Sequence, residues 1–180
     1  MKKRIITFVL VVVAVYFLIG RNVGIKYRLG QELKVDVSMA KITMYFDNHA
    51  RVWHNDGATV AVLQFTEKDA QRLEEALEQS VVWSETPMLE AFYKIAYEEC
   101  YTWADPDYFA EMANLPEITN GYWFYVDQDT YRNGTLVYGQ KALDLLEEPD
   151  YTGYRRLPGG YGLALYDMDT HTLYYFQRNL

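Results

Sequence analysis

The amino-acid sequence predicts an α+β fold, an antiparallel sheet with two main helices, preceded by one N-terminal transmembrane helix. Three observations carry this expectation. Fifteen consecutive residues, Ile5–Ile19, contain one polar side chain, Thr7, and follow Lys2-Lys3-Arg4. Later segments alternate apolar and polar residues at the strand period of two, or run as aromatic and β-branched blocks between Asn, Asp and Gly. Two further segments space their apolar residues at three and four, the period of a helix packed along one face.

As a helix, Ile5–Ile19 rises about 22 Å, short of a hydrocarbon core about 30 Å thick. Arg21 on one side and Lys2–Arg4 on the other lengthen the effective span by reaching toward the headgroups. A secretory signal has an apolar core of similar length, but cleavage needs small residues at −3 and −1. Phe17, Leu18, Ile19 and Gly20 give no such pair. The expectation is an uncleaved signal anchor, with a cleaved signal as the alternative. Residues 1–20 are thus the anchor or signal segment, 21–32 a juxtamembrane linker and 33–180 a single acidic globular domain. Basic residues flank both sides of the apolar run, so the positive-inside rule discriminates weakly. The favoured orientation is that of a signal sequence never cut, with the N-terminus cytoplasmic and the domain extracytoplasmic.

The domain reads from its N-terminal side as follows. Val35, Val37 and Met39 alternate with polar residues, and Ile42, Met44 and Phe46 alternate in the opposite phase. The slip at Ala40-Lys41 implies a bulge, or two strands. Ile42–Phe46 and Thr59–Phe65 are expected to form an antiparallel hairpin across a loop marked by Asp47-Asn48-His49 and Asn55-Asp56-Gly57. Thr66-Glu67-Lys68-Asp69 resembles a capping box. It opens a helix with Ala70, Leu73, Ala76 and Leu77 on its apolar face, ending near Ser80. A second helix is expected from Thr86-Pro87, burying Leu89, Phe92, Tyr93, Ala96 and Cys100, and stopped by Asp105-Pro106-Asp107. A short helix at Tyr108–Ala113 and an aromatic strand at Tyr122–Val126 follow. Asp127–Gly134 reads as a loop, Lys141–Glu148 as one or two helical turns, and Arg155–Gly160 as another loop. Gly162–Tyr166 and Thr172–Phe176 form a terminal hairpin. Both its faces are apolar or aromatic, which places it centrally in the sheet, covered on both sides. Leu163, Leu165, Leu173 and Tyr175 are expected on one face, with Ala164, Tyr166, Tyr174 and Phe176 on the other.

Half of the 180 residues are hydrophobic and 17 are Tyr, a composition that supports a packed core rather than disorder. Cys100 is the single cysteine, so no intrachain disulfide forms. The first 32 residues carry six basic side chains and one acidic one, leaving 11 basic against 24 acidic in residues 33–180, a formal −13. A domain this acidic repels phosphate backbones, which disfavours nucleic acid as a partner. The basic residues beside Ile5–Ile19 suit anionic lipid headgroups instead.

Among chemistry-bearing residues, Asp47, His49, His54 and Asp56 stand out, since two of the three histidines share one hairpin loop with two aspartates. Imidazole and carboxylate suit zinc and other divalent metals. The same residues also suit a polar recognition loop, or plain turn chemistry. Asp167-Met168-Asp169-Thr170 lacks the central Gly and terminal Glu of a calcium loop and reads as a side-chain-bonded turn; Asp127-x-Asp129 reads likewise. Pro158-Gly159-Gly160-Tyr161-Gly162 matches no phosphate-binding loop. Trp53, Trp103 and Trp123 are expected chiefly in the core. The chain contains no G-x-S-x-G and no H-E-x-x-H.

The run Leu165-Tyr166-Asp167-Met168-Asp169-Thr170-His171-Thr172-Leu173-Tyr174-Tyr175-Phe176 resembles the ending of a group of small uncharacterised Firmicutes proteins that begin with a signal or membrane anchor. The likeness extends more loosely to Asn120-Gly121-Tyr122-Trp123-Phe124 and to Asp47–Gly57. There the group tends to carry a D-x-H-G-G pattern before a D-G turn. Asp47, His49, Asp56 and Gly57 match it, while Ala50 and Arg51 replace the glycines. The group has no established activity, so the resemblance implies location and build alone.

Two functional readings follow. The first is a non-enzymatic, membrane-anchored extracytoplasmic binding module without cofactor, inserted through residues 5–19, whose partner is a protein or cell-envelope component. The second is a metal-dependent hydrolase using Asp47, His49, His54 and Asp56, for which the sequence offers no general base at motif spacing.

Overall fold

The computed structural model describes residues 20–48, 57–98, 108–127, 136–139, 141 and 160–179. Residues 20–33 form a helix, α1. The hairpin β1 (Lys41–Asp47) and β2 (Gly57–Gln64) follows, then α2 (Glu67–Glu78) and the short β3 (Trp83–Glu85). Next come α3 (Glu90–Tyr93), which widens into a π-helical turn over Lys94–Glu98, and α4 (Tyr108–Ala113). The strands β4 (Gly121–Asp127), β5 (Val137–Tyr138), β6 (Gly160–Asp167) and β7 (Thr172–Asn179) complete the fold. All pairings are antiparallel, in the order β1-β2-β7-β6-β4-β3, with β5 sharing the outer side of β4. The α+β class with an antiparallel sheet is therefore as expected. Among the described residues no helix is long and apolar enough to cross a membrane; Ile5–Ile19 lies outside them.

Helices cover both faces of the sheet. On one face Ala61, Leu63, Tyr122, Phe124, Val126, Ala164, Tyr166, Leu173 and Tyr175 meet α1 and α2. On the other Val60, Val62, Trp123, Tyr125, Leu163, Leu165, Tyr174 and Phe176 meet α3, α4 and the π turn. This double cover explains why the whole of β4 is buried and why its sequence shows no polar alternation. Phe92 stacks on Tyr125 at 4.2 Å and Phe109 on Phe176 at 4.9 Å, so each helix of the second face is seated by one phenyl ring.

The terminal hairpin lies inside the sheet and is covered on both faces, but its cross-strand pairing is one residue out of phase with expectation. Asp167 faces Thr172, so Tyr166 pairs with Leu173, Leu165 with Tyr174, Ala164 with Tyr175 and Leu163 with Phe176. The turn is responsible. The Asp167 carboxylate accepts from the Asp169 amide at 2.9 Å and the Thr170 hydroxyl at 2.7 Å, and His171 takes a left-handed φ of 51°. Four turn residues are consumed, and side chains at 166 and 173 fall on one face.

Other elements differ for equally local reasons. Val35–Met39 is a turn after α1 rather than a strand: Lys34 has a φ of 60° and the Ala40 amide donates to the Val37 carbonyl. The register shift lies between Ile42 and Met44 instead of at Ala40-Lys41. Thr43 Oγ1 donates to the Val62 carbonyl at 3.0 Å there. Ile42 thus joins the α1 side of the sheet, and Met44 and Phe46 the opposite side. Thr66 caps α2 as expected, and Ala70, Leu73 and Leu77 are buried, but Ala76 is exposed. Pro87 does not begin α3. Thr86 is held along β4, its amide on the Gly121 carbonyl and its hydroxyl on the Thr119 carbonyl, and the chain bends through Thr86 and Pro87 before α3 begins at Glu90. The segment expected as a linker is α1, with Leu29 and Leu33 fully buried. Cys100, Trp53, Trp103 and most of 141–148 lie outside the described residues.

Two substitutions test this core. Leu165→Ala, at a fully enclosed site, is expected to cost about 2–5 kcal/mol in denaturant unfolding. At Gly121 an added Cβ would sit 1.9 Å from the Tyr166 carbonyl oxygen, a backbone atom with no rotamer to yield. Gly121→Ala is therefore expected to cost about 3 kcal/mol, the upper end of overpacking. An unchanged midpoint for either variant contradicts the central placement of β4 and β6.

Candidate functional site

Polar side chains that tie separate elements together meet at the Asp167–Thr172 turn and around α1. The three sides of α1 have different tasks, set by helical spacing. Ile25, Leu29 and Leu33, at i, i+4 and i+8, face the sheet. Arg28 and Glu32, one turn apart, reach sideways onto the strands. Arg28 lies over the Tyr45 ring at 5.9 Å, donates to the Tyr45 hydroxyl, and pairs with Asp47 Oδ2 at 3.1 Å. Tyr45 donates in turn to the same Asp47 oxygen at 2.9 Å. Glu32 accepts from the Tyr175 hydroxyl at 2.5 Å, a charge-assisted bond at the centre of the sheet. At the end of α1 the Trp83 indole donates to the Leu33 carbonyl at 2.8 Å, satisfying one of the acceptors a helix terminus leaves open. Four separate strands, β1, β7, β3 and, through the apolar side, β2, thereby hold one helix.

Burial, and then the hydrogen bond to Asp47, pushes the Tyr45 phenol up to about 12. Burial, with the Glu32 charge behind it, raises Tyr175 well above the phenol range. Both therefore act as fixed proton donors. Neither is an acid or nucleophile near neutral pH.

The third side of α1 faces outward. Val23, Lys26, Tyr27, Gly30 and Lys34 line an open cleft of about 580 Å³ with the turn residues Val35, Asp36 and Ser38. Tyr27 is 70% exposed and Val23 59%. Lys26 Nζ is anchored on the Ser38 carbonyl at 2.6 Å and the Ala40 carbonyl at 3.2 Å. The Asp36 carboxylate is turned onto the Ser38 amide at 2.8 Å, and that bond lowers its pKa.

Of the sequence quartet, Asp47 is the one residue described, and its carboxylate is already engaged by Arg28 and Tyr45. A cation there would compete with a guanidinium. His49, His54 and Asp56 lie outside the described residues. Among the described residues no three His, Cys, Asp or Glu side chains are grouped to hold a metal. His171 places Nδ1 3.6 Å from Glu74 Oε1, which also accepts from the Tyr166 hydroxyl at 2.8 Å. Burial, then the bond to Glu74, raises Tyr166 far above the phenol range, and the Tyr166–Glu74 bond holds α2 to the sheet. The Asp167–Thr170 turn is self-bonded, as expected, and Asn120 Nδ2 ties Asp169 to the β4 entry at 2.7 Å.

The α1 cluster was not anticipated. Its signal is the i, i+4, i+8 spacing of Ile25, Leu29 and Leu33, which Gly20, Gly24 and Gly30 mask with the composition of a linker. No family model, no curated protein and no solved structure matches the chain.

Two measurements test the clasp. Tyr175→Phe removes a buried donor to a carboxylate and is expected to cost about 1–2 kcal/mol on unfolding. Tyr45 and Tyr97, the latter also pushed up to about 12 mainly by burial, hold their protons more tightly folded than unfolded. An unfolded phenol titrates near about 10. Their contribution is complete below that value and is lost as pH climbs toward about 12, because the unfolded chain releases these protons first. Alkaline denaturation is expected to steepen across that window, and Tyr45→Phe to remove part of the slope. A flat stability profile there contradicts the assigned environments.

Proposed function

We propose that this chain is a membrane-anchored, extracytoplasmic, non-enzymatic binding module whose partner is a protein or cell-envelope component. The observation that supports this reading is the multiple attachment of α1 to the sheet. The helix follows the apolar run Ile5–Ile19 directly in sequence and is latched by Arg28, Glu32 and the Leu33 carbonyl, so the domain is built onto the chain emerging from that run. The resemblance of Leu165–Phe176 to the ending of Firmicutes proteins that begin with a signal or membrane anchor points to the same extracytoplasmic location. The ionisable side chains of the clasp are consumed in holding elements together, an arrangement suited to a rigid recognition body. The hydrolase reading receives no such support, since Asp47 is already paired.

A reporter fused after Leu180 is expected to be active outside the cytoplasm, and the mass of the membrane-extracted chain to retain its first 20 or so residues. A cytoplasmic reporter contradicts the orientation; a mass lacking that segment converts the anchor to a cleaved signal. Elemental analysis separates the two functional readings. Stoichiometric zinc or manganese that is lost on His49→Ala would overturn the binding module in favour of the hydrolase.

A further inference from the structure

We propose that the outer side of α1, with its cleft, is a docking surface for the anionic headgroups of membrane lipid, so that the domain lies against the bilayer rather than standing clear of it. The inference rests on the anchor reading of Ile5–Ile19 and adds to it a second, independent contact.

Charge is the first ground. Residues 33–180 carry a formal −13, yet the outer side of α1 and its cleft present Lys26 and Lys34 against one carboxylate, Asp36. A cationic cleft on an acidic body selects an anionic surface and orients the body toward it. Lys26 is prepared for this. Two of its three N–H groups are spent on the Ser38 and Ala40 carbonyls, which fixes the ammonium in the cleft wall and leaves one donor for a phosphate oxygen. The Asp36 carboxylate is occupied by the Ser38 amide, which moderates its repulsion of an entering anion.

The second ground is the kind of apolar surface exposed. Val23 and Tyr27, four residues apart, are uncovered while the other aliphatic residues of α1 are packed on the sheet. An aromatic ring with a polar tip beside lysines is the composition that settles at the membrane–water boundary. The third ground is reach. Tyr27 lies about 10 Å along the axis from Gly20 and Lys34 about 21 Å. The headgroup layer extends only about 5–8 Å beyond each side of the hydrocarbon. An α1 standing upright would put Lys34 well outside it. Engagement of Val23, Tyr27 and Lys34 together therefore requires α1 to lie steeply inclined to the bilayer normal.

The test uses the full chain, with Cys100→Ser to remove the native thiol and a nitroxide on Val23→Cys, Tyr27→Cys or Val81→Cys. Val81, 98% exposed and distant in sequence from α1, is the reference. Each is reconstituted into vesicles of phosphatidylcholine alone or mixed with phosphatidylglycerol. Co-flotation in both lipids tests the anchor; failure to float overturns that reading and this one with it. For chains that float, collision of the 23 and 27 labels with a water-soluble nickel relaxant is expected to fall severalfold relative to label 81 in the anionic vesicles, as their side chains settle into the headgroup boundary. Adding Lys34→Glu is expected to restore collision without unfolding the chain, since Lys34 is exposed. Equal collision at all three sites in chains that float overturns the proposal while leaving the anchor intact. So does equal protection in neutral vesicles. Spin–spin broadening at label 27 in detergent also overturns it, because the face then belongs to a second copy of the chain.

Discussion

The register between β6 and β7 is the constraint on which the rest of this structure depends. Because the hairpin is covered on both faces, no residue in it is spare. A slip of one position would exchange Ala164 and Tyr166, which fit under α1 and α2, for Leu163 and Leu165, which fit under α3 and α4. The turn that sets the register is tied from three directions. Asp167 closes it internally, Asn120 holds it from the β4 side, and Gln64 donates to the Thr170 carbonyl at 2.6 Å from the β2 side. The hydrogen bonds of the turn therefore decide which hydrophobic residues meet which helix. A polar motif that resembled a ligand site acts as the alignment device of the core.

The same logic explains why polar residues of α1 reach the sheet. A helix held only by Ile25, Leu29 and Leu33 could rotate or slide with modest loss, since apolar contact is non-directional. Arg28 over Tyr45 and Asp47, Glu32 on Tyr175, and the Trp83 indole on the Leu33 carbonyl each specify one angle and one height. The Arg28–Asp47 pair is half exposed and contributes little stability of its own. Its effect is positional: the outward side of α1 then has a defined direction relative to the sheet.

Legibility in the sequence followed the local or non-local origin of each feature. The β1–β2 hairpin, the Thr66 cap, the helix at Tyr108–Ala113, the aromatic strand at β4 and the buried terminal hairpin all arise from short-range periodicity and turn chemistry, and were readable. The pairing phase of β6 and β7 depended on how many residues the Asp167 turn consumes, which composition does not state. The split of Ile42 from Met44 came from a bulge bonded to Val62, a residue on another strand. Thr86 opens no helix because it bonds across to Gly121, thirty-five positions away. The α1 clasp was the least legible part. Its partners lie on β1, β7 and β3, and its glycines mimic a linker until Leu29 and Leu33 are seen to be buried.

One further consequence follows from how the sheet ends. The β1 side carries Lys41 and the Ile42–Met44 bulge, and the β4 side is closed by strands of three and two residues, β3 and β5. Long flat edges recruit strands from neighbouring chains, whereas charges, bulges and short strands discourage such pairing. Under the anchored reading proposed above, diffusion in two dimensions raises the frequency of encounters between copies. Blunted edges at both ends of the sheet would then keep a crowded population as separate molecules, each free to present its own surface.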